Sequence, residues 1–501
     1  MKRNSTSVLI IWLTVILFIF AQCKKEAVVP EVVKPVIVPA ATEVNYFVWS
    51  SMHDIYLWNA NIPSLTNNSY LTVKDSLNTF LNKYSSPRTL FNNLLYQYKT
   101  VDKWSFIVSD YDSIRNWISG TAKTTGFDFM LYRYSSSAND IFGVVRYVWK
   151  GSPAEKAGIQ RGDIFSKVDG VQLTVANYTA NFINKDSYTL SISKIVNNVV
   201  TPTGKDVPLT AITMQEDPVL FSKVIAVNGI NVGYLVYNAF NSDFDLELNT
   251  VFQQFKSAGV TKLVVDLRYN GGGSTATATY LGSMIYTTNT SKIFSKSVWN
   301  SIYATYNQSQ TFTDKITSAT STTTPINTLN LSDVYFLVSS ETASASELLI
   351  NGLKPYMNVK SIGTNTYGKY VASVSIYDYA LDSKGNLIPD GKGDYVLVTT
   401  HKYAMQPIVA KFSNSLGVSD FVTGLTPDIT LQEDIGNLLP FGDVNETLLK
   451  AALDNIKGSK SQTLMNVSPF ANSRSLFGLK DKSQFSHDMY VDPGKVLNRT
   501  K

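Results

Sequence analysis

The run DVYFLVSSETASASELLINGLKPY, Asp333 to Tyr356, joins two patterns that rarely touch without consequence. VYFLVSS is a continuous apolar stretch ending in serines, the signature of a buried strand, and ASELLINGLKPY carries apolar residues at helical spacing. The hydroxyls between them sit at a strand-to-helix transition. There the first N–H groups of the helix have no partner within it, so negative charge is welcome. Ser344 can be read two ways. With Glu347 three residues on it fits a capping box, its side chain starting the helix; the same place also suits a nucleophile. Ser346 lies one position further into the helix and points away, and Ser340 belongs to the strand end, so both are lesser candidates.

Outward from this junction the same alternation repeats. INVGYLVYNAF, FDLELNTVFQQFKSAGV, KLVVDLRYNGGG and TATATYLGSMIY read as strand, helix, strand and helix, which implies an α/β core with parallel strands over 212–457. DLRYNGGG ends a strand in glycines and opens a helix, so its backbone can approach a ligand and donate N–H groups. Two such turns on parallel neighbours face one crevice; a tight turn without a ligand explains the glycines equally well. The Ser/Thr-rich stretch 289–330 reads as an exposed insertion or lid.

A chain of 501 residues exceeds a single ordinary core, and with 44% apolar and 17% charged residues it is a folded, multi-domain chain. Aromatic and aliphatic residues at helical spacing indicate a small helical domain over 44–100. Residues 1–22 have a basic start and an apolar run too short to span a bilayer, as in an export signal. Cys23, the only cysteine, follows directly and resembles the lipidated residue of a bacterial lipoprotein, with the Pro/Val-rich segment 23–43 as a spacer. From 458 to 501 the tail is polar and shows no core pattern.

Several chemistries are disfavoured. The net charge of +5 comes without a dense basic run, so nucleic acid is not an expected partner. Three scattered histidines, no HExxH, no cysteine pair, no P-loop and no dinucleotide fingerprint argue against metal and nucleotide cofactors. A Ser-His-Asp triad would need His401 as its base. A serine activated in some other way remains.

Two resemblances sharpen this reading. GSPAEKAGIQRGDIFSKVDG, Gly151 to Gly170, is similar to the core of PDZ domains, with a short helix opened by Ser152-Pro153 and stopped at Gly158, and places a PDZ-like β-rich domain over 110–205. Such domains add an extended C-terminal peptide to a sheet edge and hold its carboxylate on a Gly-apolar-Gly-apolar loop. The matching residues are Gly126, Phe127, Asp128 and Phe129. Asp128 stands at the second glycine, and an acidic side chain beside a carboxylate pocket disfavours tight capture.

TASASE around Ser344 and TYGK at Lys369, preceded by DLRYNGGG and a PDZ-like domain and followed by GLTPDI, resemble the tail-specific, or C-terminal processing, serine protease family. The resemblance implies an α/β protease core of the crotonase/Clp protease-like ββα kind. It implies Ser344 as nucleophile and Lys369 as general base, with an oxyanion held by N–H groups of Gly272 and Ala345. Asp266, Arg268 and Glu347 match a supporting charge cluster. Ser373 occupies a position where the family often has Gln, and Tyr370 adds bulk beside the base. A lysine base must have its pKa brought down from about 10 by burial. The implied function is a serine endopeptidase of the cell envelope, free of cofactors and lipid-anchored through Cys23 to a bacterial membrane, facing the periplasm or the cell surface. Its substrates would be proteins with exposed or unstructured C-terminal tails. An inactive relative that only binds peptides through its PDZ-like groove is the alternative.

Overall fold

The computed structural model describes residues 41–459, 475–478 and 487–491, apart from 135, 136, 138, 198, 319, 320, 392, 393 and 420. The expected export signal, Cys23 and most of the expected spacer lie outside the described residues. Among the described residues no helix is long and apolar enough to cross a membrane.

The chain enters through helix Glu43–Ile55, started by Thr42, whose side chain accepts the Asn45 N–H. Phe47, Trp49 and Met52 on its inner face meet Leu81, Leu90 and Phe91 from the helices Lys74–Leu81 and Pro87–Asn93. These residues belong to the same apolar cluster as the α/β core, so the helical region is packed onto the core rather than tethered to it.

A second cluster belongs to an antiparallel sheet built from Phe127–Arg133, Ile141–Val148, Ile164–Val168, Ser187–Val196 and Val199–Thr210. Phe127, Phe129, Phe165 and Phe182 fill its interior. The expected short helix is Pro153–Lys156, with Ser152 accepting the Glu155 N–H and Pro153 in the first turn.

The α/β core centres on a six-stranded sheet in the order Val219–Val227, Ile230–Tyr237, Lys262–Asp266, Asp333–Val338, Asn358–Gly363 and Ile429–Thr430. The first pair is antiparallel and the other four pairs are parallel. Helices Asp245–Ser257, Thr275–Ile285 and Ala345–Leu353 make the crossovers. Lys262–Asp266 and Asp333–Val338 are neighbours, so the glycine turn and the serine turn emerge side by side at their carboxyl ends.

A second sheet lies across these helices and departs from the sequence reading twice. It runs Gly273–Ser274, Met489–Tyr490, Val371–Ser373, Ile408–Asn414, Ile293–Trp299 and Gln308–Thr311. The stretch 289–330, expected as an exposed insertion, thus supplies two of its strands, and Phe294, Phe312 and Ile316 are core residues. Abundant Ser and Thr masked the pattern, although Thr is at home in strands and the apolar residues between point inward. The tail beyond 458 also enters the fold. Ser475–Gly478 pairs antiparallel with Met130–Tyr132 at the edge of the PDZ-type sheet, and Met489–Tyr490 lies between Gly273–Ser274 and Ser373.

Candidate active site

Ser344 caps the helix Ala345–Leu353 in an unusual conformation, φ 66° and ψ −111°. A non-glycine residue there carries about 1–3 kcal/mol of backbone strain. The capping-box relation to Glu347 is present, with Glu347 Oε2 accepting the Ser344 N–H at 2.8 Å. The Ser344 hydroxyl itself makes no hydrogen bond of normal geometry, although it is fully buried. An unpartnered buried hydroxyl is costly, so a capping role alone does not account for this corner.

Glu347 ties this corner to the lysine turn. Its Oε2 also accepts the Lys369 N–H at 2.9 Å, while Oε1 accepts the Gly368 N–H at 2.7 Å and the Thr366 hydroxyl at 2.5 Å. Burial nevertheless pushes its carboxyl up to about 7 against the pull of these four donors. Gly368, at φ +100°, lets the turn pass the backbone of Val422 and Gly424, where a Cβ would lie 2.6 Å from the Val422 carbonyl.

Lys369 is 1% exposed. Burial lowers its pKa from the usual lysine value, opposed by Asp488, which forms an ion pair with its Nζ. Burial in turn raises the Asp488 carboxyl, opposed by Lys369. The Trp104 ring faces the amine, 5.7 Å from Nζ to its centre. Ser373, at the position where a glutamine was looked for, donates its hydroxyl to Asp488 at 2.9 Å and to Gln406 Oε1 at 3.1 Å.

The glycine turn completes the corner. A Cβ on Gly272, whose φ is +114°, would sit 2.8 Å from Ser344 Cβ and 3.0 Å from the Ala345 nitrogen. Only glycine lets the two turns meet. Ala345 is the first residue of its helix, so its N–H has no acceptor within the helix. The Gly272 N–H donates to Asn270 Oδ1 at 2.9 Å, so the second expected oxyanion donor is engaged in this state. Asn270 was not singled out from sequence. Its side chain bonds the Tyr237 carbonyl, and its own carbonyl accepts the Ala343 N–H and the Ser346 hydroxyl. Ser346 is thereby accounted for as a tie between the two turns, and Ser340 is exposed.

Asp266 and Arg268 are in contact as expected, but their cluster faces the PDZ-type sheet. Arg268 bonds Asp266 at 2.8 Å and reaches Glu433 and Glu446 at 2.7 Å each. Arg161 joins the same Glu433 from the other side and holds the Leu439 carbonyl at 2.9 Å. Glu446 also caps the helix Thr447–Ile456. Glu433 and Glu446 carried no sequence signal beyond the cap position of the latter.

Asp128 needs a correction. It does not line an open carboxylate pocket; it is buried and paired with Arg146 Nε at 2.5 Å, and Arg146 also bonds Glu341 in the serine turn. Phe127 and Phe129 point into the sheet's interior, and Gly126 closes against Ser152. The paired edge begins beyond them, at Met130.

Against known proteins, the sequence profile of Peptidase family S41 matches residues 231–430, that of the Peptidase S41 N-terminal domain matches 43–106, and a PDZ domain profile matches 144–183. These matches place the core, 231–430, in peptidase family S41. S41 relatives include the carboxyl-terminal-processing protease of Picosynechococcus sp., 27% identical over 61% of this chain and 64% of that protein. The chloroplastic C-terminal processing peptidase of Tetradesmus obliquus is 26% identical over 63% of this chain and 62% of its own length. The chain thus spans a little under two thirds of each of these curated relatives. A solved chain assigned to the S41 proteases, from Bacteroides fragilis, superimposes with a TM-score of 0.66 at 28% identity, covering 85% of this chain and 99% of that one. The S41 core match contains the glycine turn, Ser344, Lys369 and Glu347, and the PDZ match contains Arg146 and Arg161.

Proposed function

We propose that this S41 chain is a serine endopeptidase working with a Ser344–Lys369 dyad on proteins that present extended C-terminal tails. One observation carries the reading: a fully buried lysine, its pKa lowered by burial, is held by Glu347 on the same carboxylate as the backbone of a strained, unpartnered serine. A neutral Lys369 amine takes the proton of Ser344 Oγ as that oxygen attacks a peptide carbonyl. The tetrahedral oxyanion forms beside the Ala345 N–H and the Gly272 turn, where a positioned donor contributes about 3–4 kcal/mol. The ammonium then returns its proton to the leaving amine, and water, deprotonated by the same lysine, hydrolyses the acyl-enzyme.

The PDZ edge supports tail recognition, since Met130–Tyr132 accepts an added strand. Export and a lipid at Cys23 complete the reading as an envelope enzyme. Purified Ser344→Ala and Lys369→Ala proteins should each lose turnover of an unfolded substrate by at least about a thousandfold. Lys369→Arg should not rescue, because a guanidinium is not deprotonated in proteins. For active protein, kcat/KM should rise with pH in a step lying below the ordinary lysine value of 10.5. Undiminished proteolysis in both alanine variants would sink the dyad.

A further inference from the structure

Ser344 and Lys369 are closed to solvent, and the segment that covers them belongs to the chain's own C-terminal tail. Met489–Tyr490 runs parallel to Gly273–Ser274 on one side and meets Ser373 on the other, and the Val491 N–H donates to the Ser373 carbonyl at 3.0 Å. The Asp488 carbonyl oxygen lies 2.7 Å from the point, above Gly272, that is itself 2.8 Å from Ser344 Cβ. A backbone carbonyl of the tail therefore lies close to the serine. On either side the tail is anchored by aromatic contacts. His487 stacks on Tyr367 at 4.1 Å and 3°, and Tyr490 packs edge-on against Trp117 at 5.7 Å. Tyr490 also lines a pocket beside Gly272 and Gly273, together with Trp117 and Phe240.

Main-chain pairing with side chains seated alternately is how a sheet edge receives a peptide. Asp488 adds what a substrate would not bring: its carboxylate ion-pairs with Lys369 Nζ and accepts the Ser373 hydroxyl at 2.9 Å. Earlier in the tail, Ser475–Gly478 fills the PDZ edge at Met130–Tyr132. One tail thus occupies the recognition edge first and the cleft second, in chain order.

We propose that the cleft is a binding site for an extended peptide bearing an aspartate, filled in cis by His487–Val491 as an inhibitory pseudosubstrate. This rests on the dyad reading above. The strand that brings a carbonyl up to Ser344 also disables the group that must take the serine's proton, because an amine held as the ammonium partner of Asp488 has no lone pair to offer. A peptide without a carboxylate at that place leaves the amine free. Tethering makes the inhibitor effective: attachment to the same chain gives a local concentration of about 1 mM, so a segment that binds in trans with a Kd of about 0.1 mM keeps roughly nine clefts in ten closed.

The test compares the full chain, full-chain Asp488→Asn, and a chain ended after residue 459, using hydrolysis of an unfolded protein. It adds binding of the synthetic peptide SQFSHDMYVDP, residues 483–493, to the shortened chain carrying Ser344→Ala. Both altered chains should turn over substrate about tenfold faster than the full chain. The peptide should inhibit the shortened chain competitively, and the same peptide with Asn in place of Asp488, its Asp492 kept, should not. Asp488→Asn keeps the whole chain and removes only the ion pair that seats the strand, so it decides the matter if the shortened chain fails to fold. Slower turnover by Asp488→Asn would make Asp488 a working part of the site and overturn the proposal, as would a shortened chain that binds no peptide. If no form hydrolyses anything while the Ser344→Ala chain still binds the peptide through its aspartate, the inhibitory site stands and the protease reading falls.

Discussion

Replacing Glu347 by Gln tests the joint that holds the two candidate catalytic groups together. Each carboxylate oxygen accepts two donors, Ser344 and Lys369 N–H on one, Gly368 N–H and the Thr366 hydroxyl on the other. Whichever way the amide turns, its NH2 faces two donors, so two buried hydrogen bonds are unmade, at about 1–3 kcal/mol each. Against this, the variant no longer buries a charge. Burial holds the Glu347 carboxyl at about 7, compared with 4.5 for an ordinary Glu, and at about 1.36 kcal/mol per unit the ionised form costs the native state about 3 kcal/mol. The sign follows from proton counts. Between pH 4.5 and 7 the native protein holds a proton that the unfolded chain has released, so native stability falls as pH rises through that window. The Gln protein has no such step. Denaturant unfolding in a Ser344→Ala background, which prevents self-digestion, should show Glu347→Gln more destabilising at pH 5 than at pH 8 by about 3 kcal/mol. Equal destabilisation at both pH values would mean that the four donors keep Glu347 ionised throughout, and the account of burial winning over hydrogen bonding would be refuted.

Gly272→Ala puts a methyl group 2.7–2.8 Å from the Asp488 carbonyl and Ser344 Cβ at φ +114°; turnover in an Asp488→Asn background should fall at least about a hundredfold, and the strain should also lower stability by about 1–3 kcal/mol, read from the urea midpoint, while circular dichroism shows the fold kept. Arg268→Ala leaves Asp266 and Glu446 buried, and Glu433 partly buried, without their shared cation, which should lower stability by about 3–5 kcal/mol at neutral pH. Burial would raise the Glu433 carboxyl, but Arg161 and Arg268 hold it down to about 2. That depressed group stabilises the wild type above the ordinary Glu range and loses its contribution as pH falls toward 2, so the deficit of Arg268→Ala, followed by melting temperature, should narrow in acid.

Local periodicity made the α/β core and the PDZ-type sheet legible. VYFLVSS followed by ASELLINGL states its strand and helix outright, and Gly272, Ser344 and Lys369 sit in turns whose composition is distinctive. Glu347 was readable as a cap but not as a four-donor clamp, because Thr366, Gly368 and Lys369 reach it only after the strand Asn358–Gly363 has folded back. Asn270 hid inside the glycine motif it supports. The strands at Ile293–Trp299 and Gln308–Thr311 were obscured because Ser and Thr read as loop residues in composition, whereas the few apolar residues between them, Phe294, Trp299, Phe312 and Ile316, bury that region.

Asp128 and Asp488 were unreadable for one shared physical reason. An acidic residue beside a functional motif repels or attracts according to its partner, and neither partner is near in sequence. Asp128 looked hostile to a carboxylate until Arg146 was found to neutralise it and to continue to Glu341 in the serine turn. Asp488 stands in a segment without helical period, because its contacts are main-chain pairing to Gly273 and Ser373 and one ion pair to Lys369. A strand added to an existing edge needs only extended backbone and a few fitting side chains. It therefore leaves little trace in composition, even when it lies beside Ser344 and Lys369.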